Sequence, residues 1–426
     1  MGPFLPCPRC GALEFGVLSV TDTRCERRCR ACRFTATVRL PRLKKKIIYI
    51  DQSAISNIMK TLSPEVRGHG RAVSERFWKE LFEALSVVCH LQLVVCPESR
   101  EHEYESLTSP FFGELKCTYE HFSGGASFHD PASIMQLQIA RIASCWLQKE
   151  SARFEFDPQD ITYGNIHEWS PRIRVSVDGQ LPGMVERLRR VRDQAHGHLK
   201  LVFKQWRQEQ KTFREVLEIE KRGYRRALVA EYGADIARRE QALEMIVKGQ
   251  TPPLEDFLPS DATYTITALH DLFKSALGAD RCRAALTEFF CSDAIDEAPF
   301  NIIQSSMYAS LATKAAAGQK EVPNQGTFRD VNVVSTLLPY CDAIFVDNKC
   351  RALLQDIPRE HRLPFSCDVF SLNTGVEFIR YLQQIRDSAS ADHLRLLEEV
   401  YGPDPLKPQS GIAGIGKFRR VGQPLT

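Results

Sequence analysis

Apolar positions along this 426-residue chain follow two rhythms. Short continuous runs read as buried strands: Ile47-Ile48-Tyr49-Ile50, Leu91 to Cys96, and Ala343-Ile344-Phe345-Val346, with Ser366 to Phe370 as a last strand. Runs this short, bounded by charge or turn residues, suit a parallel sheet covered on both faces. Between them the spacing lengthens to that of helices. The segment after Asp51 is helix-compatible to about Met59. Residues 73–88 set Phe77, Leu81, Phe82 and Leu85 on one face. Pro97 begins an acidic helix in which Glu98 suits the helix dipole. Further helices are expected over Pro299 to Ala316, Val331 to Leu338, Cys350 to Leu354 and Gly375 to Ile385. Strand and helix alternate over residues 43–108 and again over 299–390, which is the α/β signature.

Residues 109–298 read as a long helical insertion. Ile134, Leu137, Ile139, Ile142 and Trp146 mark a helix over 133–150, and 151–183 is rich in Pro and Gly. From Met184 to about Lys248 breakers are scarce and one or two long helices are expected. Their apolar stripe (Val185, Leu188, Val191, Leu199, Val202, Trp206, Phe213, Val216, Leu217) fits a helix hairpin or a homodimer seam better than a cofactor site. The basic positions Arg187, Arg189, Arg190, Arg192, Lys200, Lys204 and Arg207 either follow a phosphate backbone or form a solvated face. Pro252-Pro253 ends this arm, and mixed helical patterning returns over residues 263–293. Residues 402–426 carry Pro, Gly, Lys and Arg with little apolar pattern and are expected to be a flexible tail.

Composition narrows this picture less than distribution does. At 43% hydrophobic the chain can bury a core, and a formal charge of +3 announces no bulk attraction to nucleic acid. No apolar run is long enough to span a bilayer and the first residues lack a signal-peptide plan, so a cytoplasmic setting is the expectation. Of fourteen cysteines, five fall within the first 32 residues. Cys7-Pro8-Arg9-Cys10 and Cys29-Arg30-Ala31-Cys32, eighteen residues apart, have the spacing of a four-cysteine zinc ribbon over residues 1–42. Cys25 is a spare that could replace Cys29. Strands are expected around Phe15 to Val20 and Phe34 to Val38. Such a zinc site is closed and structural. Arg27, Arg28, Arg30, Lys44, Lys45 and Lys46 are candidate nucleic-acid contacts, with a solvated or protein-docking surface as the alternative.

Each expected strand end also delivers acid. Asp51 follows the first strand, Glu98 to Glu105 follow the second, Asp330 opens a late helix and Asp347 follows the third strand. Ligands of open α/β sheets bind at strand carboxyl ends. Asp51 could equally serve only as a helix cap. On these residues, and on Ser99-x-x-His102-x-x-Glu105-Ser106, the chain resembles PIN-like nucleases over roughly residues 45–107 and 299–385. The resemblance implies a PIN-like (Rossmann-like) parallel sheet flanked by helices, and an acidic cluster of Asp51, Glu105, Asp330 and Asp347 holding Mg²⁺ or Mn²⁺. It implies phosphodiester hydrolysis, with RNA a better expectation than DNA. Glu101, one turn from Glu105, is the rival second acid. Asp342 is a secondary candidate behind the cluster, and Ser53 and Asn348 are candidates to hydrogen-bond ligands or substrate. His102 either orients a carboxylate or phosphate or simply packs, and Lys349 either meets phosphate or is a surface lysine. Val346-Asp347-Asn348 replaces the T-x-D turn common at the fourth position. The competing expectation is an inactive scaffold that binds nucleic acid through its ribbon and arm. A toxin or host-defence role would rest on analogy alone.

Overall fold

The computed structural model describes residues 4–21, 23–63, 75–107, 109–164, 166–169, 197, 199–324, 326–361 and 364–402. The expected breaks near Pro64 and Gly68, the basic positions Arg187, Arg189, Arg190 and Arg192, the apolar positions Val185, Leu188 and Val191, and nearly all of the expected tail lie outside the described residues.

The N-terminal unit is an antiparallel sheet of β1 (Phe15–Val20), β2 (Arg24–Cys29) and β3 (Thr35–Arg39). Its central strand was hidden by charge. Arg24-Cys25-Glu26-Arg27-Arg28-Cys29 alternates strictly, with Cys25, Arg27 and Cys29 inward. The chain then runs through β4 (Lys46–Ile50), α1 (Gln52–Leu62), α2 (Glu75–His90), β5 (Val94–Val95), α3 (Arg100–Leu107) and α4 (Phe112–Ser123). The intervening segment holds β6 (Ser127–Phe128), α5 (Pro131–Gln148), β7 (Thr162–Tyr163), α6 (residues 199–209), α7 (Phe213–Val247), α8 (Asp261–Leu277) and α9 (Ala279–Cys291). It is followed by α10 (Pro299–Ala316), α11 (Thr327–Leu337), β8 (Ala343–Phe345), α12 (Asn348–Gln355), β9 (Asp368–Phe370), α13 (Gly375–Asp387) and α14 (Ala391–Tyr401).

β5, β4, β8 and β9 form a parallel sheet in that order. Alternate side chains of β4 serve two cores, as the two-residue period of a strand requires. Ile47 and Tyr49 pack with Phe128, Ile134, Phe203, Trp206, Met307 and Leu337. Ile48 and Ile50 face the other way, onto Ile55, Ile58, Trp78, Leu81, Phe378 and Leu382. The insertion is therefore not an appendage: α6, the start of α7 and α10 make one face of the sheet. The ribbon is also docked. Cys25, Val17, Leu40 and Leu43 are buried against Leu91, Trp169, Leu397 and Val400, and the Trp169 indole N–H donates to the Pro41 carbonyl at 2.7 Å.

Two expectations need correction. The apolar run Leu91 to Cys96 supplies only two ladder residues, because its first half closes α2. Gln92 adopts φ +57°, and the Leu91 and Leu93 amides donate back to Val87 and Val88. The helix placed after Pro97 begins at Arg100 instead. Glu98 is spent on a parallel bridge to Ser127, its N–H donating to Ala126 and its carbonyl accepting from Phe128. The helices α4 and α14, and the antiparallel pairing of β6 with β7 across α5, were not foreseen. Among the described residues no helix is long and apolar enough to cross a membrane.

α13 starts at a buried Gly375 because nothing larger fits: a Cβ there would lie 2.4 Å from Phe77 Cε2. Gly375→Ala is expected to destabilise the chain by about 1–3 kcal/mol through overpacking. Chemical denaturation checks this, and Phe77→Leu in the same chain should recover part of the loss.

Candidate functional site

Strand register brings the first two acids together. Ile50 of β4 lies beside Phe345 of β8, and the Asp51 N–H donates to the Phe345 carbonyl at 2.9 Å. Asp51 and Asp347 thus leave neighbouring strands at the same carboxyl end. Each also caps the helix that follows. Asp51 accepts from the Ser53 N–H at 3.1 Å and from its hydroxyl, and Asp347 accepts from the Cys350 N–H. Capping and site-building are compatible, because these bonds fall on one oxygen of each carboxylate, Oδ2 of Asp51 and Oδ1 of Asp347.

α3 and α11 supply the rest. Thr327 is capped by Asn324, which starts α11 three residues ahead of Asp330 and puts that acid in its first turn. The neighbouring Arg329 reaches across to α3, with its guanidinium 3.7 Å from both Glu101 and Glu105. Glu105 lines the cleft with Asp51, Asp330 and Asp347, whereas Glu101 does not. His102 is a packing residue. Its ring lies between Tyr49 and Tyr119 at centroid distances of 5.3 and 4.7 Å, its Nδ1 accepts from the Ser99 N–H, and burial depresses its pKa to about 3. This stack fastens α3 to the sheet and so fixes where Glu105 points.

The cleft has a volume of about 800 Å³ and is also lined by Gln52, Ser53, Ser56, Asn324, Arg329 and Lys200. Burial is the main cause of raised carboxyl pKa values here, with mutual repulsion second. Asp330 is pushed up to about 8 by burial and by Asp51, Asp347 and Glu105. Glu105 is raised to about 7 by burial and by Asp51, against the opposing pull of Arg329. Asp51 is raised by burial despite its Ser53 hydrogen bonds. Concentrated hard-oxygen donors that repel one another are the donor set a divalent cation relieves.

Other candidates are placed elsewhere. Asp342 precedes β8, accepts from Lys46 Nζ at 2.9 Å and the Ile47 N–H at 2.8 Å, and so belongs to the opposite end of the sheet. Asn348 turns away to accept from the Asn373 N–H, and Lys349 pairs with Glu321 at 2.7 Å. Among the basic candidates, Arg27 is buried, Lys45 Nζ donates to the Glu168 carbonyl, and Lys46 is held by Asp342. Arg28, Arg30 and Lys44 stay exposed, with Arg30 over the Phe4 ring. Arg329 was missed by sequence reasoning, although a cation directly before Asp330 was the available signal. Lys200 was read only as part of a long basic face.

Cys7, Cys10, Cys29 and Cys32 form a second constellation. All four sulfurs lie within 4.8 Å of one another, with Cys7–Cys32 at 3.6 Å and Cys10–Cys29 at 3.7 Å. The edge of a tetrahedron with metal–sulfur bonds of ~2.3 Å is about 3.8 Å, so the sulfurs fit a zinc-sized ion. Cys25 is buried in the docking core and is not part of the group. Among the described residues this is the one set of three or more ligand side chains gathered so tightly, and the four acids stand wider apart.

A carboxyl whose folded pKa exceeds its unfolded value binds extra protons when folded, so its destabilising charge is absent below about 4 and complete above the folded pKa. With Asp330 at about 8 and Glu105 at about 7, the metal-free protein should lose stability as pH rises from about 4 to 8. Asp330→Asn should flatten that slope and stabilise the protein near pH 8 by about 1 kcal/mol. Denaturant titrations at several pH values in chelator measure both effects. No family model, curated protein or solved structure matches this chain.

Proposed function

We propose that the protein is a metal-dependent nuclease of PIN-like character, and that RNA is its substrate in preference to DNA. The observation that carries this reading is the convergence of Asp51, Glu105, Asp330 and Asp347 on one cleft at the carboxyl end of a parallel sheet. In this reading Asp51 and Asp330 hold Mg²⁺ or Mn²⁺ directly, and Glu105 and Asp347 complete the ligand shell or orient water. Such a cation supplies a nucleophile of lowered pKa and neutralises charge at the scissile phosphate. Arg329 keeps Glu105 aimed into the cleft and moderates its repulsion with Asp51. Lys200, brought to the rim by α6, is the cation best placed to meet a phosphate oxygen. Zinc in the cysteine cluster would then be structural, holding β2 and both knuckles where the small ribbon core of Phe15 and Cys29 cannot do so alone.

Cleavage of labelled single-stranded RNA, structured RNA and DNA with Mn²⁺ or Mg²⁺ tests the activity. Asp51→Asn and Asp330→Asn are each expected to lower the rate by about a hundredfold or more, with EDTA abolishing it. Equal rates in the wild type and both variants would remove the assignment. Intact nucleic-acid binding without cleavage in the wild type would favour the scaffold alternative.

The cysteine cluster has its own check. Elemental analysis of the purified chain should find one zinc per chain, lost in Cys29→Ser together with protection of residues 4–43 from proteolysis. Full occupancy retained by that variant would place the ion elsewhere.

A further inference from the structure

α7 is turned so that one side is committed and the other is not. Leu228, Ala242 and the buried Asp235 face α8 and its neighbours. Asp235 accepts from the Ser260 N–H at 2.7 Å and the Thr263 hydroxyl at 2.6 Å, pinning the start of α8. Arg225 pairs with Asp293 and Asp296, and Lys221 with Glu297. These contacts leave a different side of α7 facing outward.

That side carries a regular apolar row. Val229, Ile236 and Leu243 recur every seven residues and Val247 follows one turn later, at 46, 40, 56 and 87% exposure. A step of seven returns to nearly the same side of a helix, so the row is continuous. Gly233 and Ala237 lie along it and are exposed, and space is open beyond the Gly233 α-carbon. Charge along the row is ordered: Arg222 and Arg226 lie towards its start, Glu240 and Glu244 towards its end. In parallel pairing of two such rows, like charges would meet. In antiparallel pairing, Arg222 and Arg226 of one copy meet Glu244 and Glu240 of the other, with Gly233 at the crossing. The row is thus its own complement, which is the requirement of a two-fold interface.

We propose that α7 joins two copies of this chain in an antiparallel, two-fold helix pair centred near Gly233. Val229 and Ile236 of each copy form its apolar middle, and Arg226–Glu240 and Arg222–Glu244 pairs flank it. The row spans roughly 38 Å from residue 222 to 247 at the α-helical rise. An interface of one helix pair is small, so association in the micromolar range is expected.

Sedimentation equilibrium of the full chain, from about 1 to 100 µM, brackets that range. A dimer is expected, weakened about tenfold or more by Ile236→Glu, a substitution at an exposed position that should leave the circular-dichroism melt unchanged. Arg226→Glu alone and Glu240→Arg alone should each weaken it, and the two together in one chain should restore it. A monomer at every concentration would overturn the proposal. So would a dimer indifferent to Ile236→Glu, or a double exchange that binds no better than either single one.

Discussion

Four carboxylates that line one partly buried cleft, Asp51, Glu105, Asp330 and Asp347, are the constraint against which the surrounding structure must hold. Acids at the ends of adjacent strands lose hydration and repel one another, and Asp330 and Glu105 register that cost in pKa values raised to about 8 and 7. Such an arrangement persists only if the surrounding scaffold is rigid enough to enforce it. The β4–β8 register, the capped starts of α1, α11 and α12, and the Tyr49–His102–Tyr119 stack under α3 provide that rigidity. Arg329 offsets part of the repulsion from within. An electrostatic cost retained at one end of a well-packed sheet is the kind of local conflict that marks a candidate site.

The long insertion has two distinct relations to that site. Its inner part, α6 and the beginning of α7, completes the core under one face of the sheet and brings Lys200 to the cleft. Its outer part projects the free side of α7. The cleft-lining stretch and the outward side of α7 are thereby separated by the cores around Trp206 and Phe289. The ribbon is similarly bound in, through Cys25, Trp169 and α14, so the basic residues that remain exposed sit on a body fixed to the sheet.

Much of the acid lining of this candidate site could be read from residue order. Asp51 and Asp347 stood out because each ends an apolar run of four, and the helix of Asp330 was marked by its apolar spacing. α2, α5, α10 and α13 were legible for the same reason, since burial of one face leaves a periodic trace. What escaped detection lacked such a trace. β2 is half arginine, yet its alternation with cysteine sets it inside the ribbon. The strand expected over Leu91 to Cys96 failed because an apolar turn at Gln92 looks the same as an apolar strand.

Asp342 and Arg329 show where local pattern stops. Asp342 precedes the same short strand that Asp347 follows, and only the direction of that parallel strand places one at the cleft and the other at the far end, bonded to Lys46 and Ile47. Arg329 looks like any surface arginine until α11 is laid beside α3. By itself the sequence determined the strands β4 and β8, the helices with a periodic apolar face, the cysteine spacing, and which of those strand ends bear acid, because these depend on near neighbours in the chain. The tertiary structure alone set Glu105 rather than Glu101 along the cleft, set Cys29 rather than Cys25 in the metal-sized cluster, buried Arg27 and half-buried Lys45, and turned one side of α7 outward. Each of those outcomes depends on contacts between segments remote in sequence, and burial and charge pairing are properties of that packing.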